Sequence, residues 1–244
     1  MIRVKPRTHQ QDSLFIVYDA DSLKEPDPEL FDAVNWEAQG AVSGKAQGRG
    51  SALFLDTSFG ELVLRQYLRG GQVARISRDR YAFTGYSKSR PVVEFEVLVR
   101  LQAAQLPVPA PLAAMCRRDG LTYQGWLLTR RIPGALPLAD LLDSRGSDPE
   151  LWRTVGRVIR KFHDHDLVHA DLNARNILLD TADAVHLLDF DRARFSSADS
   201  LAYAANLKRL RRSLEKLWPA HDRAQLEPCW HELKIAYRQA GGES

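Results

Sequence analysis

Asp171 and Asn176 stand five residues apart, and Asp189 follows a short apolar stretch. One chemistry that suits two carboxylates and an amide is phosphoryl transfer, which asks little covalent help of a protein. It needs a hydroxyl held in line, a carboxylate beside that hydroxyl, and cations on the phosphates. The stretch His169-Ala170-Asp171-Leu172-Asn173-Ala174-Arg175-Asn176, followed by Leu188-Asp189-Phe190-Asp191, carries the residue types for this. Asp171 can take the hydroxyl proton. Asn176, five residues later, and Asp189 can offer oxygens to Mg²⁺, a hard cation that prefers such ligands. An ordinary hairpin with surface Asp and Asn side chains is the competing reading. Both halves at this spacing, flanked by apolar strands, argue against it. His163 and His169 could suggest a metal pair, but no acid or thiol cluster joins them, so His169 is expected to brace the loop by hydrogen bonds.

The elements around the motif must bring its parts together. Short apolar runs at 177–179 and 185–188 flank a turn at 180–183, predicting a hairpin that returns Asp189 close to Asn176. Upstream, 149–165 reads as a long helix with Leu151, Val155, Val158, Ile159 and Phe162 on one face. A shorter helix spans 138–142, and helices span 200–217 and 223–240. The first half differs. A strand is predicted at 13–18, and a helix over 29–39, capped by Asp27 with Pro28 in its first turn. Strands follow between 44 and 55, then at 61–68 beyond a turn near 58–60. Residues 92–105 have helical spacing, with Phe95, Leu98 and Leu101 on one face. Leu106-Pro107-Val108-Pro109-Ala110-Pro111 ends that helix. Two strands around Asp119-Gly120 lead to Thr129. The sum is an α+β fold in two lobes: 1–131, an extension and a small antiparallel sheet with one helix, and 132–244, mainly helical, with a hinge at 129–134.

The 244 residues are 44% hydrophobic and 27% charged, enough for a core and a soluble surface. No apolar stretch approaches the roughly 20 residues that span a bilayer. Residues 1–6 lead into polar sequence without the apolar region of a secretion signal. The expectation is a cytosolic or peripherally attached protein. Cys116 and Cys229, the two cysteines, read as buried free thiols. Net charge is only +3, but seven basic residues lie between Arg65 and Arg90 against one acid, Asp79. That field would attract an anionic partner, or form a solvated surface. Nucleic acid is the weaker candidate, since few aromatics interleave with these charges.

The spacing H-x-D-x-x-x-x-N, a short hairpin, then D-F-x resembles the protein-kinase-like family. The resemblance implies ATP and Mg²⁺, with Gly48 and Gly50 of the run Gly44-Lys45-Ala46-Gln47-Gly48-Arg49-Gly50-Ser51 bringing backbone N–H groups to the phosphates. The family's third-strand lysine is replaced here by Arg65, a forked permanent cation. Glu94 is its expected partner, since Leu98 and Leu101 share its helix face, while Glu96 points outward. An ordinary ion pair is the alternative. Thr129 to Ile132 would read adenine through the backbone, with Leu127 and Leu178 lining the pocket. No Ala-Pro-Glu element or long activation segment follows Asp191, which argues against a protein substrate.

A closer resemblance, over about residues 30–217, is to the 3-deoxy-D-manno-octulosonic acid (Kdo) kinases. It rests on Gln47-Gly48-Arg49-Gly50, Val63-Leu64-Arg65-Gln66-Tyr67-Leu68-Arg69-Gly70-Gly71, Glu94-Phe95, Leu106-Pro107-Val108-Pro109, His169-Ala170-Asp171-Leu172-Asn173 and Leu188-Asp189-Phe190-Asp191. The arginine on the third strand belongs to that pattern. Arg130, where an acid is expected, and Gln66, where a histidine is usual, depart from it. The resemblance implies phosphorylation of the Kdo 4-hydroxyl on Kdo–lipid IVA or lipid A during lipopolysaccharide inner-core synthesis. The place implied is the cytoplasmic face of a Gram-negative inner membrane. Arg69, Arg75 and Arg78 are the candidate grips on the anionic glycolipid. On the helix 200–217, Lys208, Arg209, Arg211, Arg212 and Lys216 are expected to face anionic headgroups, with Leu207, Leu210, Leu214 and Leu217 buried. A plain amphipathic helix is the alternative there. Rival functions are a kinase for another sugar, such as a heptose, or a small molecule, and a nucleotide-binding pseudokinase.

Overall fold

The computed structural model describes residues 4–46, 51–68, 79–197 and 199–241. The chain forms two compact units, Met1–Ala103 with Pro109–Arg131, and Ala104–Val108 with Ile132–Ser244. The short segment Ala104–Val108 therefore belongs with the second unit rather than with the residues around it. Its anchor there is the Leu187 N–H, which donates to the Pro107 carbonyl at 3.0 Å. An antiparallel sheet with one long helix, followed by a mainly helical unit, is the protein-kinase-like fold class.

The first unit is an antiparallel sheet in the order β1-β2-β7-β8-β5-β4-β3. Its strands are β1 (Pro6–Gln11), β2 (Leu14–Asp19), β3 (Val42–Lys45), β4 (Ser51–Thr57), β5 (Gly60–Gln66), β7 (Pro111–Asp119) and β8 (Thr122–Arg130). A two-residue strand, β6 (Tyr81–Ala82), also pairs with β8. Side chains alternate across a strand. Leu53, Leu55, Leu62, Leu64, Trp126 and Leu128 therefore share one buried cluster with Leu30, Phe31 and Trp36.

The segment carrying Leu30 and Trp36 corrects the single helix expected over 29–39. It is a 3₁₀ turn, Pro28–Phe31, and then α1 (Ala33–Ala38). Asp32 sits between them in an extended conformation and accepts the Val34 N–H at 2.9 Å, so it caps the second piece.

Arg65 is in register with Leu127 and Ala114, on the sheet's other face. There α2 (Arg90–Ala103) buries Val92, Phe95, Leu98 and Leu101. Gly125 permits this packing, because a Cβ there would stand 2.7 Å from the Pro91 ring.

The second unit contains α3 (Leu138–Arg145), α4 (Pro149–Asp164), α5 (Ser200–Leu217) and α6 (Leu226–Ala240). Asp148 caps α4 by accepting the Glu150 N–H at 3.0 Å, with Pro149 at the first helical position. The α6 helix starts later than the expected residue 223. A 3₁₀ turn, Ala220–Gln225, precedes it, and Pro228 cannot have a helical turn behind it. At Gly156 of α4 a Cβ would lie 2.3 Å from the Leu233 carbonyl, so the α6 backbone meets α4 closely. Short strands complete the unit: β9 (Leu136–Pro137), β11 (Ile177–Leu179) and β12 (Val185–Leu187) in one sheet, and β10 (Leu167–Val168) with β13 (Arg194–Phe195) in another.

Candidate active site

The hairpin β11–β12 pairs Ile177 with Leu187 and Leu179 with Val185. One rung beyond, the Leu188 N–H donates to the Asn176 carbonyl at 2.9 Å. Asp189 is thereby set beside Asn176. Its φ of +64° lies in the left-handed region, uncommon for non-glycine residues though more open to Asp than to most. Phe190 is buried, its ring 6.0 Å from Phe162 and 5.1 Å from His169.

His169 links the two halves of the motif. Its Nδ1 accepts the Asp171 N–H at 3.1 Å, so the ring is neutral and Nε2–H donates to the Leu188 carbonyl at 2.8 Å. Burial holds the His169 pKa below its ordinary value, in keeping with that neutral form; the carboxylates of Asp189 and Asp171 pull the other way. Asp171 has two polar neighbours. Asn173 Nδ2 donates to its Oδ2 at 3.2 Å, and Arg209 Nη1 lies 3.7 Å from its Oδ1. Asn176 Nδ2 donates to the Asp171 carbonyl at 2.9 Å, which leaves Asn176 Oδ1 as the oxygen to offer a cation.

These donors fit Mg²⁺, because an amide oxygen and a carboxylate are the hard ligands it takes alongside nucleotide phosphates. No group of three His, Cys, Asp or Glu side chains placed to hold a metal stands among the described residues. An ion carried by a nucleotide needs none.

Sequence reasoning missed Asn206. This buried α5 residue accepts the His169 N–H on Oδ1 at 3.0 Å and donates from Nδ2 to the His169 carbonyl at 2.6 Å. It also meets His163 Nε2 at 3.3 Å. The signal was available: 206, 210 and 214 form one stripe at helical spacing, and the polar member sits among leucines. The expected buried set is corrected accordingly. Leu210 and Leu214 are buried with Asn206, whereas Leu207 and Leu217 are half-buried.

In the first unit, Arg65 Nη2 pairs with Glu94 Oε2, and Tyr67 donates its hydroxyl to the same oxygen. Arg65 also reaches the Tyr67 hydroxyl at 3.0 Å, with its guanidinium 4.7 Å from the ring centroid. Glu94 is buried and Glu96 exposed. Burial and then the Glu94 charge push the Tyr67 hydroxyl well above its ordinary pKa, so it stays a donor.

Thr129 is buried in β8, in register with Val63 and Pro111. Ile132 opens the second unit, and its carbonyl accepts the Ala135 N–H at 3.3 Å. Gly48, Gly50, Arg69, Arg75 and Arg78 lie outside the described residues. Of the remaining basic stretch, Arg80 pairs with Asp119, and Arg90 lies over the Tyr81 ring at 4.7 Å. Arg130 donates to the Phe59 carbonyl at 2.8 Å and to Ser22 Oγ at 3.1 Å, so its cation braces the sheet unit.

The model of the lipopolysaccharide kinase (Kdo/WaaP) family matches residues 33–237. The chain belongs to that family. It is similar to the 3-deoxy-D-manno-octulosonic acid kinase of Haemophilus influenzae (strain 86-028NP), 40% identical over 238 residues, covering 94% of this chain and 98% of that one. The protein of the same name from Xanthomonas euvesicatoria pv. vesicatoria (strain 85-10) is 41% identical over 227 residues, covering 93% and 90%. That of Stenotrophomonas maltophilia (strain R551-3) is 40% identical over 227 residues, covering 92% and 90%. Membership in the Kdo/WaaP family makes the chain a phosphotransferase. The matched span contains both the Arg65–Glu94 pair and the loop at 169–176.

Proposed function

We propose that this chain transfers the terminal phosphoryl group of ATP to the 4-hydroxyl of a Kdo residue on Kdo–lipid IVA or lipid A, a step in lipopolysaccharide inner-core assembly. The observation that carries this reading is one carboxylate, Asp171, bonded by Asn173 with the Arg209 cation nearby, on a loop whose far end is tied beside Asp189. The names of the similar proteins support the choice of acceptor.

The acceptor oxygen bonds to the γ-phosphorus as the bond to the β–γ bridging oxygen breaks and ADP departs. Asp171 receives the hydroxyl proton. Asn176 Oδ1 and the Asp189 carboxylate would hold Mg²⁺, which when bound neutralises charge on the phosphates. Arg65, aimed by Glu94 and Tyr67, would contact the phosphates of the nucleotide. Gly48 and Gly50 would bring backbone N–H groups to them, and Thr129 to Ile132 would read the adenine. Arg69, Arg75 and Arg78 would grip the glycolipid.

We place the protein peripherally on the cytoplasmic face of the inner membrane. Among the described residues no helix is long and apolar enough to cross a membrane. Lys208, Arg212 and Lys216 are exposed on α5, and each could add about 1 kcal/mol of attraction to anionic headgroups. Arg211 is committed to Glu215 and Glu227 instead.

The test incubates the purified chain with radiolabelled ATP and Mg²⁺, offering Kdo–lipid IVA, a heptosylated core acceptor and a generic protein. Label on the Kdo glycolipid is expected. Label confined to heptose or to protein would overturn the acceptor.

A further inference from the structure

Three polar side chains of α5 meet the loop at 169–174 in order. Asn206 holds the His169 peptide, Arg209 faces Asp171, and Ser213 Oγ accepts the Ala174 N–H at 3.2 Å. Steps of three and then four residues put all three on one helical face. Their surroundings differ. Asn206 is buried, whereas the Arg209 and Asp171 side chains keep 46% and 60% of their surface exposed. A guanidinium committed to a structural ion pair closes to about 2.8 Å, often by two parallel bonds. Arg211, two residues along, behaves that way, donating to Glu215 at 3.0 Å as well as to Glu227. Arg209 stands 3.7 Å from a single oxygen of Asp171, and nearly half of its side chain is exposed.

We propose that Arg209 is an acceptor-binding residue: its guanidinium takes the carboxylate of a sugar acid while the hydroxyl of that same ring reaches Asp171. The inference rests on the Kdo reading given above and adds the contact that would select such an acceptor. The spacing favours a carboxylate on the reacting ring over the phosphates of the lipid. A cation in contact with Asp171 can only meet an anion within about one sugar ring of the reacting hydroxyl, and a forked donor matches a carboxylate in two bonds. It also separates Arg209 from the exposed cations of α5, which would face headgroups.

The experiment compares Kdo–lipid IVA with its Kdo methyl ester, and with the acceptor stripped of lipid phosphates, in the wild type, Arg209→Ala and Arg209→Lys. Esterification is expected to lower the wild-type kcat/KM by roughly ten- to a hundredfold, the worth of a charge-assisted contact. Arg209→Ala should lose about as much on the free acid, chiefly through KM, and little more on the ester. Arg209→Lys should fall between. Removing the lipid phosphates should leave the Arg209 effect unchanged. Equal losses on acid and ester in Arg209→Ala would mean that the residue only positions Asp171, and the proposal fails. It fails too if the alanine variant matches the wild type, or if the effect follows the lipid phosphates. If the wild type phosphorylates no Kdo acceptor at all, the Kdo reading itself has failed; wild-type indifference to the ester overturns only the Arg209 assignment.

Discussion

Asn206 closes both polar groups of His169 at once, its Oδ1 on the N–H at 3.0 Å and its Nδ2 on the carbonyl at 2.6 Å. An amide is the side chain able to accept and donate in this way. The residue that begins the loop is thus fixed through its backbone by α5, while its ring fixes the Asp171 N–H and the Leu188 carbonyl. Asp199 starts α5 by accepting the Ala202 N–H at 2.9 Å, and that bond helps hold its carboxyl below the ordinary range. A cap, a buried amide and an imidazole thus stand in series behind Asp171.

Asn206→Ala should therefore remove more than stability. Two buried backbone groups lose their partner, at a cost of about 2–4 kcal/mol. The displaced loop should lower kcat roughly ten- to a hundredfold while the nucleotide KM stays near the wild type. Ser213→Ala removes one bond, at the Ala174 N–H, and should cost about 1 kcal/mol. Thermal denaturation and steady-state kinetics on both variants check the contrast. Wild-type kcat in folded Asn206→Ala would rule out the positioning role.

The legible parts of this chain were those with a strong local rule. The apolar runs around 180–183 predicted the hairpin that sets Asp189 beside Asn176, and period-two alternation is enough to put Arg65 and Tyr67 on one strand face. What stayed hidden lacked such a rule. Strand β1 is exposed at every residue, so Pro-Arg-Thr-His-Gln-Gln shows no alternation and exists through its pairing with β2. The stripe 206, 210 and 214 could turn Asn206 inward, but no local rule names its partners, backbone groups 37 residues away. The helix expected over 29–39 broke at Asp32, whose side chain takes the Val34 N–H and restarts the chain as α1.

The Arg65, Tyr67 and Glu94 side chains should behave as one unit. Arg65→Ala removes a cation paired with the buried Glu94 carboxylate, and breaking such a pair costs about 3–5 kcal/mol. Tyr67→Phe keeps the ion pair but deletes one donor to Glu94, costing about 1–3 kcal/mol. In a double-mutant cycle the pair of changes should be clearly non-additive. Denaturant unfolding of the two single variants and the double variant measures this; additive losses would show that Tyr67 does not belong to the pair.

Asp171→Asn keeps the shape of the side chain and removes the proton acceptor. Its kcat should fall by roughly 10²–10⁴, with nucleotide affinity preserved. Asp189→Asn should instead raise the Mg²⁺ concentration needed for half-maximal rate about tenfold or more, because a charged ligand is replaced by a neutral one. Magnesium titrations of both variants separate the roles. A kcat loss in Asp171→Asn that excess Mg²⁺ restores would reassign Asp171 to the metal.

His163 makes the second unit sensitive to acid. Its Nε2–H points to Asn206 Oδ1 at 3.3 Å, and its Nδ1 can then accept from the Tyr237 hydroxyl at 2.8 Å, so the neutral ring satisfies both partners. Burial drives its pKa down from 6.5 to about 4. The unfolded chain then binds a proton in a range where the folded chain does not. Stability is fully present above pH 6.5 and is lost as pH falls toward 4, by about 3 kcal/mol from this residue. His163→Gln removes the titration. The stability advantage of the wild type over this variant should shrink between pH 7 and pH 4.5, read from denaturant midpoints at each pH. An advantage that stayed constant or grew would mean that His163 carries its proton inside the fold. Because Asn206 Oδ1 serves His163 and the His169 N–H together, the same acidification should lower kcat in the wild type before the unit unfolds.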